Sequence, residues 1–358
     1  MEPALQLTLD SLLRDADRAY HDLHLDAALA AYQEACVLDP ASYDAQLGTA
    51  RTFSRMRRRD EALVACDRCV ALDPDRYEAY AARGTLHFLA DELDAAEGAS
   101  RAALERADDK PEPWLTLAQI FVDRKDFAAA DRHIVEARSR IDALPEGPER
   151  DELIAMAWHV ETYRHLLANN ADAAREAAQH VIDMEEASPY AAALAYSNLG
   201  IMETRARHYD AAIDYLERAY ETNPHFYRAA GALGRVLIMR NQHVRAAEVL
   251  EQVMSHEEGD SGDARYAYAI ALAKSGRREE ARAQYRLALT RGLKGPLWIL
   301  AWWQVAWLYN PVRYAIAALA AALLLAWILI GQPSQQAITL IVLVLVMVVL
   351  QKVLAKRR

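Results

Sequence analysis

Cysteine is scarce in this chain of 358 residues: three occur, too few for a disulfide framework, and this usage favours a reducing compartment. The 13 glycines stand singly, so no segment has the clustered glycines of a phosphate-binding loop. HExxH, GxSxG and protein-kinase motifs are absent as well. These absences argue against metalloprotease, hydrolase and kinase chemistry. We therefore expect a protein that is not an enzyme and that uses no cofactor.

Acidic residues are missing from Arg291 to the last residue, a stretch that carries seven bases. The first 290 residues therefore hold 34 bases and 51 acids, a net charge of −17. Such a surface repels the phosphates of nucleic acids at long range. We expect no nucleic-acid partner, and proteins of basic or mixed charge fit this surface better.

What recurs along the chain is a 34-residue pattern, which is clearest from Ala193 to Phe226. Asp39-Pro40 and Asp73-Pro74 close two earlier copies at the same spacing, since proline cannot continue a helix. Small residues recur where the two helices of a copy must approach closely. These residues are Ala28, Ala62, Ala96, Ala130, Ala212, Ala246 and Ala281. A helix-turn-helix period of this length predicts an all-α solenoid.

The pattern resembles the tetratricopeptide repeat family over roughly the first 290 residues. The resemblance implies a right-handed solenoid of about eight helix pairs over residues 1–292, with a break near 143–149. The fifth pair is either a diverged repeat or two long helices that keep the stacking. The pairs are predicted to begin near Leu9, Tyr43, Tyr77, Pro111, Ala155, Ala193, Tyr227 and Gly262.

The resemblance also implies a concave groove that is lined by the first helix of each pair and binds a protein or peptide. The partner-binding residues that it places there are Arg51, Arg55, Asn198, Arg205, Arg228, Arg235, Tyr266 and Lys274. A basic groove can bind an acidic segment or a C-terminal carboxylate through charge-assisted hydrogen bonds. Asn198 and Arg228 fit the positions at which some family members hold a carboxylate, whereas His159, Tyr163 and Ala232 do not. Alternatively, the arginines are solvated or pair with acids on neighbouring helices.

Two further clusters invite a metal interpretation. Cys66 and Cys69 form a CxxC motif, but both fall at inward positions of a second helix and no other cysteine pair exists. We interpret them as packing residues, because cysteine behaves as a small apolar residue. His21, His24 and Asp26 straddle a turn and offer two ligands at best, so we predict no metal site.

Long apolar runs occur only near the C-terminus. Residues 312–331 carry one charge and span roughly 30 Å as a helix, the thickness of the hydrocarbon core. Residues 332–336 interrupt this run and residues 337–355 resume it. Neither run has a polar face, which favours a transmembrane hairpin over two buried core helices. The bases that follow it, and the lack of a signal peptide, predict that the repeats and the C-terminus are cytoplasmic.

Tryptophan is concentrated between the repeats and these runs, in residues 293–311. Four of the seven tryptophans lie there, namely Trp298, Trp302, Trp303 and Trp307. Because tryptophan favours the headgroup region of a bilayer, the segment is predicted to be a helix at the membrane interface. A helix that caps the last repeat is the alternative, since repeat arrays need a covered end.

These patterns together predict a membrane-tethered scaffold or adaptor that binds a protein partner in its groove and membrane lipid through its tail. The alternative is a subunit of a larger transmembrane complex, whose hairpin is functional and whose repeats serve assembly. Arginine outnumbers lysine by 35 to 6, a usage that suits a bacterial genome, so we expect the bacterial inner membrane. The oligomeric state and the partner's identity are left open.

Overall fold

The computed structural model describes residues 3–255, 259–293 and 295–308. Within these ranges the chain forms seventeen α-helices and no strands, and consecutive helices pack in eight pairs with one helix after them. This confirms the prediction of an all-α helical repeat. The chain divides into two units, the first from Met1 to Gly259 and the second from Asp260 onward.

The first unit contains seven helix pairs. Its helices are α1 (Pro3–His21), α2 (Leu25–Leu38), α3 (Tyr43–Arg55), α4 (Arg59–Leu72), α5 (Glu78–Leu89), α6 (Leu93–Leu104), α7 (Pro111–Asp123), α8 (Phe127–Asp142), α9 (Pro148–Leu167), α10 (Ala171–Ile182), α11 (Pro189–Arg205), α12 (Tyr209–Thr222), α13 (Tyr227–Met239) and α14 (His243–Met254). The helices of the second unit are α15 (Gly262–Lys274), α16 (Arg278–Thr290) and α17 (Gly295–Leu308).

Five pairs begin within one residue of the predicted positions, but the first, fifth and sixth begin earlier. Pro148 and Pro189 occupy the first turns of α9 and α11, where proline fits because its missing N–H has no helical partner. These prolines start each helix ahead of the repeat pattern. The fifth pair therefore combines a long first helix of 20 residues with an ordinary second helix of 12.

Every first helix ends in the same way. The residue after its last turn adopts a positive φ, and the next amide donates to a carbonyl five residues back, as in His24 to Ala19 and Arg58 to Phe53. This is a Schellman motif, which satisfies carbonyls that the helix end leaves unpaired. The left-handed residues are Leu23, Arg57, Asp91, Lys125, Asn169, Arg207, Asn241 and Gly276. The same turn therefore joins the two helices in each of the eight described pairs.

The predicted small residues at the crossings are all fully buried. Gly48 makes a still closer approach: a Cβ built there would lie 2.2 Å from the ring of Tyr32, on the neighbouring α2. Tyr32 is itself buried and donates to Asp17 at 2.5 Å, so its ring is held from both sides. The packing of the first two pairs therefore depends on a residue without a side chain at position 48.

We expect Gly48→Ala to lower the free energy of unfolding by about 1–3 kcal/mol, because the added methyl group must displace Tyr32. Gly98→Ala is the matched control: Gly98 lies on α6 with nothing within 4 Å of an added Cβ. That substitution should instead stabilise by about 0.5–1 kcal/mol through helix propensity. Urea titrations followed by circular dichroism measure both, and equal responses of the two variants would contradict the close approach.

None of the helices described in residues 3–308 is long and apolar enough to cross a membrane. The predicted spans at 312–331 and 337–355, with their connection at 332–336, lie outside the described residues. Helix α17 packs on α16 through the buried Ala301.

Candidate partner-binding groove

Arg55, a predicted groove residue at the end of α3, already forms hydrogen bonds and ring contacts within the chain. Its guanidinium donates to the Tyr20 carbonyl and to Glu152 Oε1, both at 2.9 Å. It also stacks on the rings of Tyr20 and Tyr190, at 3.8 and 4.6 Å from their centres. Only 10% of the side chain is exposed. Tyr20 and Arg55 belong to the first two pairs, whereas Glu152 and Tyr190 belong to the fifth and sixth.

Two more contacts join the same distant parts of the first unit. His21 Nε2 lies 3.1 Å from the Ala187 carbonyl oxygen, just before α11, and its Nδ1 lies 3.1 Å from Asp22. Both partners are acceptors, so the protonated ring satisfies them together. The hydrogen bond to Asp22 raises the pKa of His21, burial opposes it, and the net shift is upward. Farther along, His225 Nε2 lies 3.6 Å from Asp26.

Arg51 lies one helical turn before Arg55, on the same face of α3. Its side chain is accessible to solvent although protein surrounds it, and it forms no ion pair with any described residue. Burial lowers the pKa of Arg51, but nearby Tyr20, Glu112 and Tyr77 raise it by more. Glu112 accepts from Tyr77 at 3.1 Å through Oε1, while its Oε2 is buried without a hydrogen bond to the described chain. This part of the predicted groove therefore holds an arginine without an ion pair and, near it, a carboxylate oxygen without a hydrogen bond among the described residues.

Further polar residues at predicted groove positions lie on α9, α11 and α13. Asn198 Nδ2 and His159 Nδ1 are buried and have no hydrogen-bond partner among the described residues. Burial lowers the pKa of His159 to about 4, so this ring is neutral at neutral pH. Arg228 is exposed, and its charge acts on Asp123 and Tyr163, which are hydrogen-bonded to each other. Burial raises the pKa of Asp123, and Tyr163 and Arg228 oppose that shift.

Two comparisons with known proteins gave a match, one to a repeat family and one to a solved structure. Residues 204–261 match the tetratricopeptide repeat family. A chain in the crystal structure of the APC/C hetero-tetramer Cut9-Hcn1 has the same fold, with 14% identity and a TM-score of 0.55 over 84% of this chain and 55% of that one. The family match places a tetratricopeptide repeat at residues 204–261, and the structural likeness shows a shared helical fold over most of the chain. No curated protein matches the chain in sequence.

Several arginines outside the predicted groove set pair with acids on other helices. Such pairs join Arg59 to Glu92, Arg83 to Asp67, Arg124 to Asp94, Arg164 to Asp131 and Arg245 to Glu217. Arg205 and Arg228 differ, because within the described part of the chain neither forms an ion pair or hydrogen bond. Exposed arginines that form no ion pair are suited to binding an anion from outside.

The remaining predicted groove residues are distributed along the array. Arg205 is exposed at the end of α11, and Arg235 is exposed on α13. Tyr266 and Lys274 lie on α15, in the second unit. There Tyr266 contacts the ring of Tyr285 at 5.6 Å between centres, and Lys274 is exposed.

The CxxC cysteines are packing residues of the second helix pair. Cys66 and Cys69 are fully buried, and burial raises the pKa of their thiols to about 11 and about 12. Neither is a thiolate at neutral pH, which argues against redox or metal chemistry at this motif. Among the described residues no group of three or more His, Cys, Asp or Glu side chains is arranged to hold a metal ion.

Helix α17 carries the tryptophan-rich segment that follows the last tetratricopeptide pair. Trp298 and Trp302 are 44% and 52% exposed, and Leu297, Ile299 and Leu300 are exposed beside them. The side chains of Trp303 and Trp307 lie outside the described set. The helix thus packs on α16 and at the same time presents large apolar side chains outward, so it has features of both predicted roles.

Proposed function

We propose that this protein is a non-catalytic scaffold that binds a protein or peptide through the concave groove of its tetratricopeptide repeats. The observation that carries the proposal is the buried Asn198 Nδ2, which has no hydrogen-bond partner among the described residues. A buried amide without a partner costs about 1–3 kcal/mol, so an occupant that accepts a hydrogen bond from Asn198 Nδ2 gains what the free protein lacks.

The partner's chemistry follows from the groups at this site. Asn198 offers a donor and Arg228 an exposed positive charge, so the complementary group is an acceptor that carries negative charge. A C-terminal carboxylate or an acidic side chain meets both requirements. The net charge of −17 over the first 290 residues keeps such a ligand away from other surfaces and directs it to the few unpaired arginines.

We further propose that the scaffold is tethered to a membrane, with the repeats and the C-terminus in the cytoplasm of a bacterial cell. The apolar sequences at 312–331 and 337–355 support this, as do the exposed apolar residues of α17, which suit a bilayer interface. Tethering raises the effective concentration of a bound partner at the membrane without any tighter contact.

The alternative is that the C-terminal hairpin is a functional part of a larger transmembrane complex and the repeats serve its assembly. Neither apolar run has an ionisable residue at its centre, which argues against a transport role. Exchange of the hairpin for an unrelated two-span anchor separates the ideas: retained activity favours the tether, and lost activity favours the subunit.

The groove is tested by charge reversal. Arg228→Glu should weaken binding of acidic peptides by about tenfold to a hundredfold, because it replaces a charge-assisted hydrogen bond with repulsion. The assay is fluorescence anisotropy with full-length protein in detergent, against a set of acidic peptides that end in a free carboxylate or an amide. A preference for the free carboxylate would assign that group to the site.

The matched control is Arg132→Glu, which makes the same charge change at an exposed arginine of α8, a second helix that does not line the groove. It should change affinity by less than about twofold, as expected for a screened charge at a distance. Equal losses of peptide affinity in the two variants would show that the effect comes from the change in net charge and not from a contact of Arg228. Absence of binding to any peptide in the unmodified protein would count against an acidic ligand.

A further inference from the structure

The first unit contains contacts that stacking of neighbouring pairs does not produce. Arg55 to Glu152 joins residues 97 positions apart, and His21 to Ala187 joins residues 166 apart. In contrast, the arginine–acid pairs between neighbouring pairs span about 30 positions, as with 33 for Arg164 and Asp131. The ends of the first helices in pairs one and two therefore touch the beginnings of those in pairs five and six.

The geometry points to Arg55 as a latch that holds the first two helix pairs against the fifth and sixth and closes the groove between them. Its planar guanidinium lies against two tyrosine rings, and its edge donates to a carbonyl and a carboxylate. Arginine is suited to this arrangement because the same group stacks and hydrogen-bonds at once. A lysine at this position would keep the charge but would lack the planar group whose several N–H donors stack and hydrogen-bond together.

Apolar packing supports the latch. Tyr190 of α11 packs against a buried cluster that comes mainly from the first two pairs and includes Leu23, Phe53 and Met56. Its ring therefore belongs to the core of helices that lie well over a hundred residues earlier in the chain. Separation of the two parts would expose this ring and the half-buried Tyr20 together. Because exposure of both rings to water costs free energy, the closed arrangement is favoured over the open one.

Closure has a consequence for the groove, and this step rests on the proposed function. Arg51 is one turn from Arg55 on the same face of α3, near Tyr77 and Glu112. An acidic segment that binds Arg51 lies within one helical turn of Arg55 and can displace Glu152 from it. The partner's carboxylate and Glu152 then compete for one guanidinium, so the closed arrangement is autoinhibitory for the first two pairs.

The latch is tested without any partner. Dyes on Ala30→Cys in α2 and Glu176→Cys in α10, both exposed positions, report the distance between pairs one and five in the full chain, with Cys36→Ser to limit labelling elsewhere. Arg55→Ala should increase the open population by about tenfold or more, from loss of an ion pair and two cation–π contacts. Glu152→Gln should increase the open population by a smaller factor. Its carboxyl is partly exposed, so this substitution perturbs folding less than Arg55→Ala does.

Arg59→Ala is the control, since it removes a pair with Glu92 that joins neighbouring helices and does not cross the groove. It should leave the dye distance unchanged, and circular dichroism should show equal helix content in all variants. An unchanged distance in Arg55→Ala and Glu152→Gln would overturn the latch, whether or not peptides bind. If the distance lengthens but Glu152→Gln binds acidic peptides no more tightly, autoinhibition is overturned. A gain of several fold in affinity, abolished by Arg51→Ala, supports it.

Discussion

Deletion of residues 309–358 should move the protein from the membrane pellet to the supernatant in an all-or-none manner. Two apolar runs of hydrocarbon length dominate the partition, since each central Leu, Ile or Val contributes about −0.3 to −0.6 kcal/mol to insertion and the runs hold no central charge. The measurement is ultracentrifugation of lysed cells after a carbonate wash, with the helix content of the released protein as a check on folding.

Two controls make this result specific to the tail. An unrelated two-span anchor fused after residue 308 should return the protein to the pellet, and a protease added outside intact cells should leave the repeats uncut. Full-length protein that stays in the supernatant without detergent would refute membrane tethering. Cleavage of the repeats by external protease would refute the cytoplasmic orientation and leave tethering intact.

The positions at which the helices of a pair cross could be predicted from the sequence, because they depend on the size of single side chains. Ala28, Ala130 and Ala246 recur where only a small side chain lets two helices cross, and the structure buries each of them fully. The same reasoning predicted that Cys66 and Cys69 pack inward, which they do. Helix pairing and the inward face thus follow from residues within one period of each other.

The start of a helix was less predictable. The repeat pattern marks the buried face and carries no information on how far a helix extends beyond it, so Pro148 and Pro189 set starts that the spacing missed. The conformation of the turns could not be predicted either. A left-handed residue is usually a glycine, but here Leu23 and Arg57 adopt that conformation. Their strain is offset by the hydrogen bonds of the helix end.

The contacts of Arg55 could not be predicted from the repeat pattern at all. They depend on the curvature that accumulates over four pairs, and a small rotation per pair decides whether Glu152 and Tyr190 reach α3. One signal was present in retrospect: Tyr20, His21 and Arg55 share the groove face near helix ends, where side chains are free to cross to another pair. The fifth pair departs most from the pattern, and Glu152 belongs to its extended first helix.

Acid should destabilise the first unit through His159. The ring is 7% exposed, and burial lowers its pKa to about 4, from the ordinary value of about 6.5. The unfolded chain therefore takes up this proton first as pH falls. Stability that is fully present above about pH 6.5 is lost progressively toward pH 4, by about 3 kcal/mol in all for one group with this shift.

The His159→Leu variant isolates this effect, because carboxylates that also titrate in acid are common to both proteins and cancel in the difference. At pH 7.5 the two proteins should differ by less than about 1.5 kcal/mol, since the buried Nδ1 makes no hydrogen bond among the described residues whose loss would cost stability. At pH 4.5 the variant should be the more stable by about 2–3 kcal/mol relative to that baseline. Parallel urea midpoints for wild type and His159→Leu across this range would mean that the ring is hydrated in solution rather than sealed from water.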